Sequence, residues 1–377
     1  LKRVEFSDVQ DAQKRLNESR KRRILESREQ RQVNLEARER AREQKALEWK
    51  EKQKSDIVYL GEGTEHYLNL SDPSKYGKSD VIDRLGLPQI ANAQELADVL
   101  EIDVPTLRKL CFTRKVSRFN AYIRFSIPKK TGGERIISAP NKVLKNCQHM
   151  ILEKVLNQVD IDETAHGFVK GRSIRSNAEP HVGKRIVINM DMKDFFPTIT
   201  FPRVAGLFVK MGYTPKIATM LALITTEPSI TECTLDGEMW YLANGERFLP
   251  QGAPTSPAIT NILCHRLDKR LRGLASSLNC SFTRYVDDIT FSYDDPQISE
   301  GRILATIKKI VEDEGLVVHP EKTKIMRNGG RKEVTGVVVN KKLSVRRKDL
   351  RRFRALLQQI EKNGPDGKYW NKDKYEK

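Results

Sequence analysis

The spacing of apolar and polar positions changes several times along the chain, and each change marks an element. Residues 1 to about 55 are dominated by Arg, Lys, Glu and Gln, without glycine or proline, and Ile24, Val33, Leu35, Leu47 and Trp49 keep no heptad. That pattern predicts a long solvated helix supported by pairs such as Glu36 with Arg40, and it argues against a coiled coil. From Ser55 to Leu87 the Gly, Ser and Pro content reads as a linker. Residues 91–110 read as two short helices with a break near Asp103. The pair has a helix-turn-helix look, although such pairs are more often plain packing units. Tyr122–Pro128 alternates as a strand, Lys129-Lys130-Thr131-Gly132-Gly133 forms a basic turn, and Glu134–Ser138 returns as the partner strand. A helix over Asn141–Leu156 follows, then an apolar strand, Arg185–Met190, that ends in Asp191. Beyond it come a helical region from Pro202 to about Leu223 and a loop-and-strand insertion reaching Phe248. Ser256-Pro257 caps a helix with Ile259, Leu263, Leu267, Leu271 and Leu274 along one face. The last helix, to Ile360, is expected to turn Leu350, Phe353, Leu357 and Ile360 inward and its arginines outward.

Length and charge add a partner. The 377 residues suffice for two or three domains, and a net charge of +18 points to a polyanion such as nucleic acid. No apolar run reaches membrane-spanning length, and no signal peptide is visible. The five cysteines have neither metal-ligand nor disulfide spacing, which suits a reducing cytosol.

The chemistry concentrates in Ser281–Ser292, which reads as a hairpin with Tyr285-Val286-Asp287-Asp288 at its centre. Two adjacent carboxylates repel each other unless a cation lies between them, and they share a target only from a turn. A lone Asp-Asp pair is usually a polar hairpin tip; Asp191, closing a buried strand upstream, changes that weighting. If the two strands are neighbours, three carboxylates converge where two Mg²⁺ ions about 3.5–4 Å apart would serve phosphoryl transfer. The Gly-Gly turn with Lys129, Lys130 and Arg135 offers phosphate contacts, and Lys322 is placed to protonate or stabilise a departing pyrophosphate.

In order, Asp191 … Phe196, Gln251-Gly-Ala-Pro-Thr-Ser-Pro257, Tyr285-Val-Asp-Asp288 and Gly315 … Lys322-Thr resemble reverse-transcriptase motifs A to D. The resemblance implies an α+β right-hand polymerase: fingers, a palm of antiparallel sheet packed on helices, and a helical thumb, with the charged N-terminal helix as an extension. The corresponding boundaries are extension 1–55, linker 56–84, N-terminal helices and fingers 85–184, palm 185–333 and an incomplete thumb 334–377. It implies Asp191, Asp287 and Asp288 as ligands of two Mg²⁺ ions (Mn²⁺ a possible substitute), and Phe196 as a gate against a 2′-OH. Gln251 and Gly252 would line the nucleotide and template pocket.

Asn177-Ala-Glu-Pro-His181 and Val334-Thr335-Gly336 resemble elements of bacterial retron reverse transcriptases, as do Leu85-Gly-Leu-Pro88 and Gly167 … Ser173. That narrower likeness implies a cognate structured non-coding RNA, partly copied into a short branched RNA–DNA. It implies deoxynucleotide substrates, an effector protein, a role in anti-phage defence and a place in the bacterial cytoplasm. Asn177, His181, Val334, Thr335, Gly336, Arg347, Arg351 and Arg354 would then contact RNA or template. Val286 stands where these enzymes commonly carry alanine. Alternatives are another bacterial reverse transcriptase, of intron or abortive-infection type, and a catalytically silent RNA-binding scaffold.

Overall fold

The structure, a computed structural model, describes residues 6–57, 59–64, 77–128 and 133–367. The chain divides into two units, Leu1–Val58 and Tyr59–Lys377. The first contains one helix, α1 (Phe6–Ser55). Its apolar residues Leu16, Leu25, Val33, Leu35 and Leu47 are exposed, and Glu36 pairs with Arg40 at 3.8 Å as the spacing predicts.

In the second unit the expected linker is partly structured. Leu60 and Thr64 are buried, Thr113 N–H donates to the Leu60 carbonyl at 2.8 Å, and α2 spans Ser79–Leu85. Weak local signals hid this, because a seven-residue helix carries little periodicity. The two short helices are α3 (Ala93–Val99) and α4 (Val104–Cys111), capped by Asn92 and Asp103. They bury Leu96, Ala97, Leu107 and Cys111, the behaviour of a packing unit.

After a short strand β1 (Val116–Ser117), β2 (Tyr122–Pro128) and β3 (Glu134–Pro140) form the expected antiparallel ribbon. Lys129 and Lys130 lie outside the described residues. Helices α5 (Lys142–Lys154) and α6 (Ile174–Ala178) lead to β4 (Ile186–Asp191). The next helical region is two helices, α7 (Phe201–Lys210) and α8 (Pro215–Thr225), each with proline in its first turn. Long strands β5 (Glu227–Leu235) and β6 (Glu238–Phe248) form the insertion, with β1 paired to β6.

Helix α9 (Ser256–Leu263) has Thr255 rather than Ser256 in the N-cap position and no side-chain cap; the Ser256 hydroxyl donates to the Pro250 carbonyl at 2.8 Å. Interrupted at Cys264, the same face continues in α10 (His265–Ser277), burying Ile259, Leu267 and Leu271. Strands β7 (Ser281–Tyr285) and β8 (Asp288–Tyr293), helix α11 (Glu300–Asp313) and strand β9 (Lys324–Met326) follow. The small hairpin β10 (Glu333–Val334) and β11 (Val337–Val338) precedes α12 (Arg347–Asn363).

The central sheet has the order β7-β8-β4-β9, antiparallel throughout. β4 is covered on both faces: Val187 packs with Ala178, Val334 and Val339 on one, and Ile188 and Met190 are buried on the other. One expectation fails at α12: Leu350, Phe353 and Leu357 are 38%, 46% and 48% exposed. The helix is amphipathic, but the described residues bury none of its side chains.

Candidate active site

Two residues, Val286 and Asp287, connect β7 to β8, and Tyr285 pairs with Asp288 across the hairpin. Val286 has φ +60°, the left-handed value that the first loop position of such a connection needs and that usually selects glycine. A β-branched residue there is strained, and strain of this kind persists only where surrounding contacts hold it. Those contacts come from Arg284. Its guanidinium donates to the Val286 carbonyl at 2.9 Å and to Asn261 Oδ1 at 3.1 Å, and it grips both carboxylate oxygens of Asp268 at 2.6 Å. Arg284 and Asp268 are both fully buried. Gly167 closes the turn from another side; a Cβ there would lie 2.5 Å from the Val286 side chain.

With the turn fixed, Asp191 at the end of β4 stands directly opposite Asp288 on β8, and Met192 N–H donates to the Asp287 carbonyl at 3.0 Å. Asp191, Asp287, Phe196, Gln251, Arg135 and Lys322 line one cleft of about 450 Å³. Lys322 Nζ donates to Asp191 Oδ1 at 2.9 Å. Phe196 stands edge-on to buried Phe195, with ring centroids 5.6 Å apart. Gln251 and Gly252 lie against β3: Ser138 N–H donates to the Gln251 carbonyl at 2.8 Å, and a Cβ on Gly252 would sit 2.8 Å from the Ser138 carbonyl oxygen.

Burial, and then the neighbouring acids Asp287 and Asp191, push the Asp288 carboxyl up to about 7. Burial and Asp191 also raise Asp287. An all-carboxylate set whose members resist ionisation together matches a hard divalent cation in its donor chemistry. Among the described residues no three ligating side chains are already gathered into a metal-holding group. The convergence expected from sequence is therefore one of strand ends, with Lys322 supplying positive charge beside Asp191.

Residues 127–353 match the family "Reverse transcriptase (RNA-dependent DNA polymerase)". Retron Mx65 reverse transcriptase of Myxococcus xanthus is 42% identical over 276 residues, covering 73% of this chain and 64% of that protein. Retron Mx162 reverse transcriptase of the same species is 42% identical over 264 residues, covering 68% and 54%. Retron Ec86 reverse transcriptase of Escherichia coli is 32% identical over 280 residues, covering 73% of this chain and 80% of its own. The chain belongs to the retron-type reverse transcriptases. It spans less than two thirds of the length of either Myxococcus relative.

Within this right-hand fold the four-stranded sheet is the palm, and two retron-like elements take places the sequence did not suggest. Asn177, His181 and Val334 are fully buried, so they cannot contact RNA in this fold. Asn177 Nδ2 donates to Thr335 Oγ1 at 3.2 Å, joining one element to the other. Thr335 and Gly336, both at positive φ, form the two-residue turn between β10 and β11. His181 reaches Ser292 Oγ at 2.6 Å and Thr283 Oγ1 at 2.8 Å, bracing the β7–β8 hairpin that carries Asp287. Thr283 spends its proton on the Asn177 carbonyl, so His181 Nε2 donates to Thr283 and Nδ1 accepts from Ser292. These buried elements look, in sequence, like any polar motif near a substrate.

His319 was missed. It lines the cleft, its N–H donates to the Asp191 carbonyl at 2.7 Å, and its buried Nδ1 has no hydrogen-bond partner. Arg347, Arg351 and Arg354 are exposed on α12.

Burial, then the charges of His166 and Lys184, push His181 down to about 3. Unfolded, the imidazole returns to about 6.5. Below that pH the unfolded chain binds a proton that the folded chain refuses, so stability falls as pH drops from about 6.5 towards 3. The slope is at most about 1.4 kcal/mol per pH unit. Urea unfolding at pH 7 and pH 5 should show the wild type losing about 2 kcal/mol more than His181→Gln. Equal losses would remove the assignment of a neutral, buried imidazole.

Proposed function

We propose that this chain is an RNA-directed DNA polymerase that binds a cognate structured RNA and copies part of it into a short DNA joined to that RNA by a branch. The observation that carries the reading is Asp191 opposite Asp288, with Asp287 in the same cleft as Phe196, Gln251 and Lys322. Asp191, Asp287 and Asp288 would hold the divalent cations, Mg²⁺ with Mn²⁺ as substitute, whose chemistry is to acidify the attacking hydroxyl and offset phosphate charge. Arg135 and Lys322 supply fixed positive charge for the triphosphate, with Lys129 and Lys130 of the fingers turn in the same role. Lys322 also stands ready to steady the departing pyrophosphate. Gln251 and Gly252 border the position of the incoming base and template.

Phe196 forms the floor under the sugar. Phe196→Ala should raise ribonucleotide incorporation relative to deoxynucleotide at least about tenfold in a primer-extension assay. Unchanged sugar discrimination would remove the gate role.

The finer reading, which rests on the retron-like sequence elements, is a cognate non-coding RNA partner, an effector protein and a role in anti-phage defence. It is tested on nucleic acid that co-purifies with the protein from its host. A DNA of defined length whose mobility shifts after RNase and again after a debranching enzyme is the expected product. An unbranched DNA would indicate another priming mode. RNA that yields no DNA on addition of Mg²⁺ and deoxynucleotides would overturn the polymerase reading.

A further inference from the structure

We propose that a second cleft, sharing no lining residue with the catalytic one, holds an unpaired segment of the partner RNA. The inference rests on the reading that the chain works on RNA. At about 640 Å³ the cleft is larger than the catalytic one, at about 450 Å³. One wall is the segment from Phe112 to Tyr122, and the other is the β5–β6 insertion with Tyr241, Ala243 and Arg247.

Its chemistry is that of stacked bases with phosphates beside them. Lys109 Nζ lies 4.4 Å from the Phe119 ring centre and Arg114 Cζ 4.9 Å from Phe112, all four residues lining the cleft, whereas Arg118, also in the lining, lies 4.5 Å from the ring of Trp240 outside it. The two pairs wholly within the lining, Lys109 with Phe119 and Arg114 with Phe112, combine an aromatic ring for a base with positive charge for a phosphate. Lys115 and Arg118 are partly neutralised by Glu62 and Glu238, whereas Lys109 and Arg114 form no ion pair among the described residues. Arg247 also lines the wall, its hydrogen bonds going to the carbonyls of Leu223 and Thr226 and to the Thr226 hydroxyl, with Glu227 offsetting part of its charge.

One polar group in the cleft also lacks a partner. Asn120 Oδ1 accepts from Tyr122 N–H at 3.1 Å, but Asn120 Nδ2 is buried without an acceptor. An orphaned buried donor is costly, and a base edge or phosphate oxygen would satisfy it. Duplex RNA is read mainly by its shape, sugar hydroxyls and phosphates, whereas rings and an amide in a cleft suit splayed single-stranded bases. An acidic peptide would answer the charge and leave the stacking faces unused.

The test uses the full chain and a short fluorescein-labelled single-stranded RNA of mixed sequence, with a pre-annealed RNA–DNA primer–template saturating the catalytic cleft. The double variant Lys109→Glu/Arg114→Glu changes two exposed side chains, and Asn120→Ala is measured beside it. The double variant should weaken binding at least about tenfold and make its salt dependence shallower, since it removes phosphate contacts. Photocrosslinks from thiouridine RNA should map between Phe112 and Tyr122 in the wild type and disappear in the double variant. Extension of the pre-annealed primer should stay within about twofold of wild type. Wild-type binding by the double variant, or crosslinks confined to the catalytic cleft, would overturn the proposal. A wild-type protein that crosslinks here but extends no primer would sink the polymerase reading and leave this one standing.

Discussion

Replacing Asp287 with asparagine is expected to lower DNA synthesis roughly a thousandfold or more. Losing a group that only orients a metal ligand already costs about 10–100-fold, so losing a proposed ligand should cost more. The substitution keeps side-chain shape and removes charge, which separates chemistry from folding. Asp287 is crowded by burial and by Asp191, both of which disfavour its carboxylate. The amide relieves that repulsion, so the melting temperature in chelator-containing buffer should hold or rise. Loss of activity with retained stability is the mark of a site held in strain for function. Synthesis within about tenfold of wild type would remove Asp287 from the metal-ligand set. RNA binding by the variant should survive, because the basic surfaces elsewhere are unchanged.

Much of the site was legible because local rules and the fold agree. The apolar run of β4 marked a strand covered on both faces, and an acid closing such a run marks an edge or a site. The hairpin announced itself through alternation around Val286 and Asp287. What could not be read were contacts between distant segments. Asn177 and His181 are polar, close to the first catalytic strand and easily taken for RNA contacts, yet they lie in the interior, bound to Thr335, Thr283 and Ser292. Nothing in the spacing of Asn177 and Thr335 announces a hydrogen bond across 158 positions. The outcome at α12 has a different cause. Its 3.6-residue periodicity was read correctly, but periodicity gives a helix's apolar face and not what covers that face.

Arg284 and Asp268 passed unremarked in the sequence, and their disruption carries the largest expected loss of stability. Neither residue is exposed, and Asp268 takes both its Arg284 hydrogen bonds at 2.6 Å. Removing one partner strands a buried charge, which typically costs about 3–5 kcal/mol out of a total stability of about 5–15 kcal/mol. Asp268→Asn should therefore lower the urea-unfolding free energy by about 3 kcal/mol or more, as should Arg284→Met. The double variant Asp268→Leu/Arg284→Met removes both charges and should lose much less than the two single losses combined. Strict additivity would show that the pair is not coupled. Activity then distinguishes a role in folding from a role in positioning. Even with stability largely restored, the Val286 carbonyl and Asn261 lose their donor. The left-handed turn that presents Asp287 beside Asp191 then keeps only its packing against Gly167 and the Met192 N–H bond to the Asp287 carbonyl, so DNA synthesis should remain depressed at least about tenfold. Full activity in the double variant would mean that Arg284 serves the fold and not the aim of the catalytic turn.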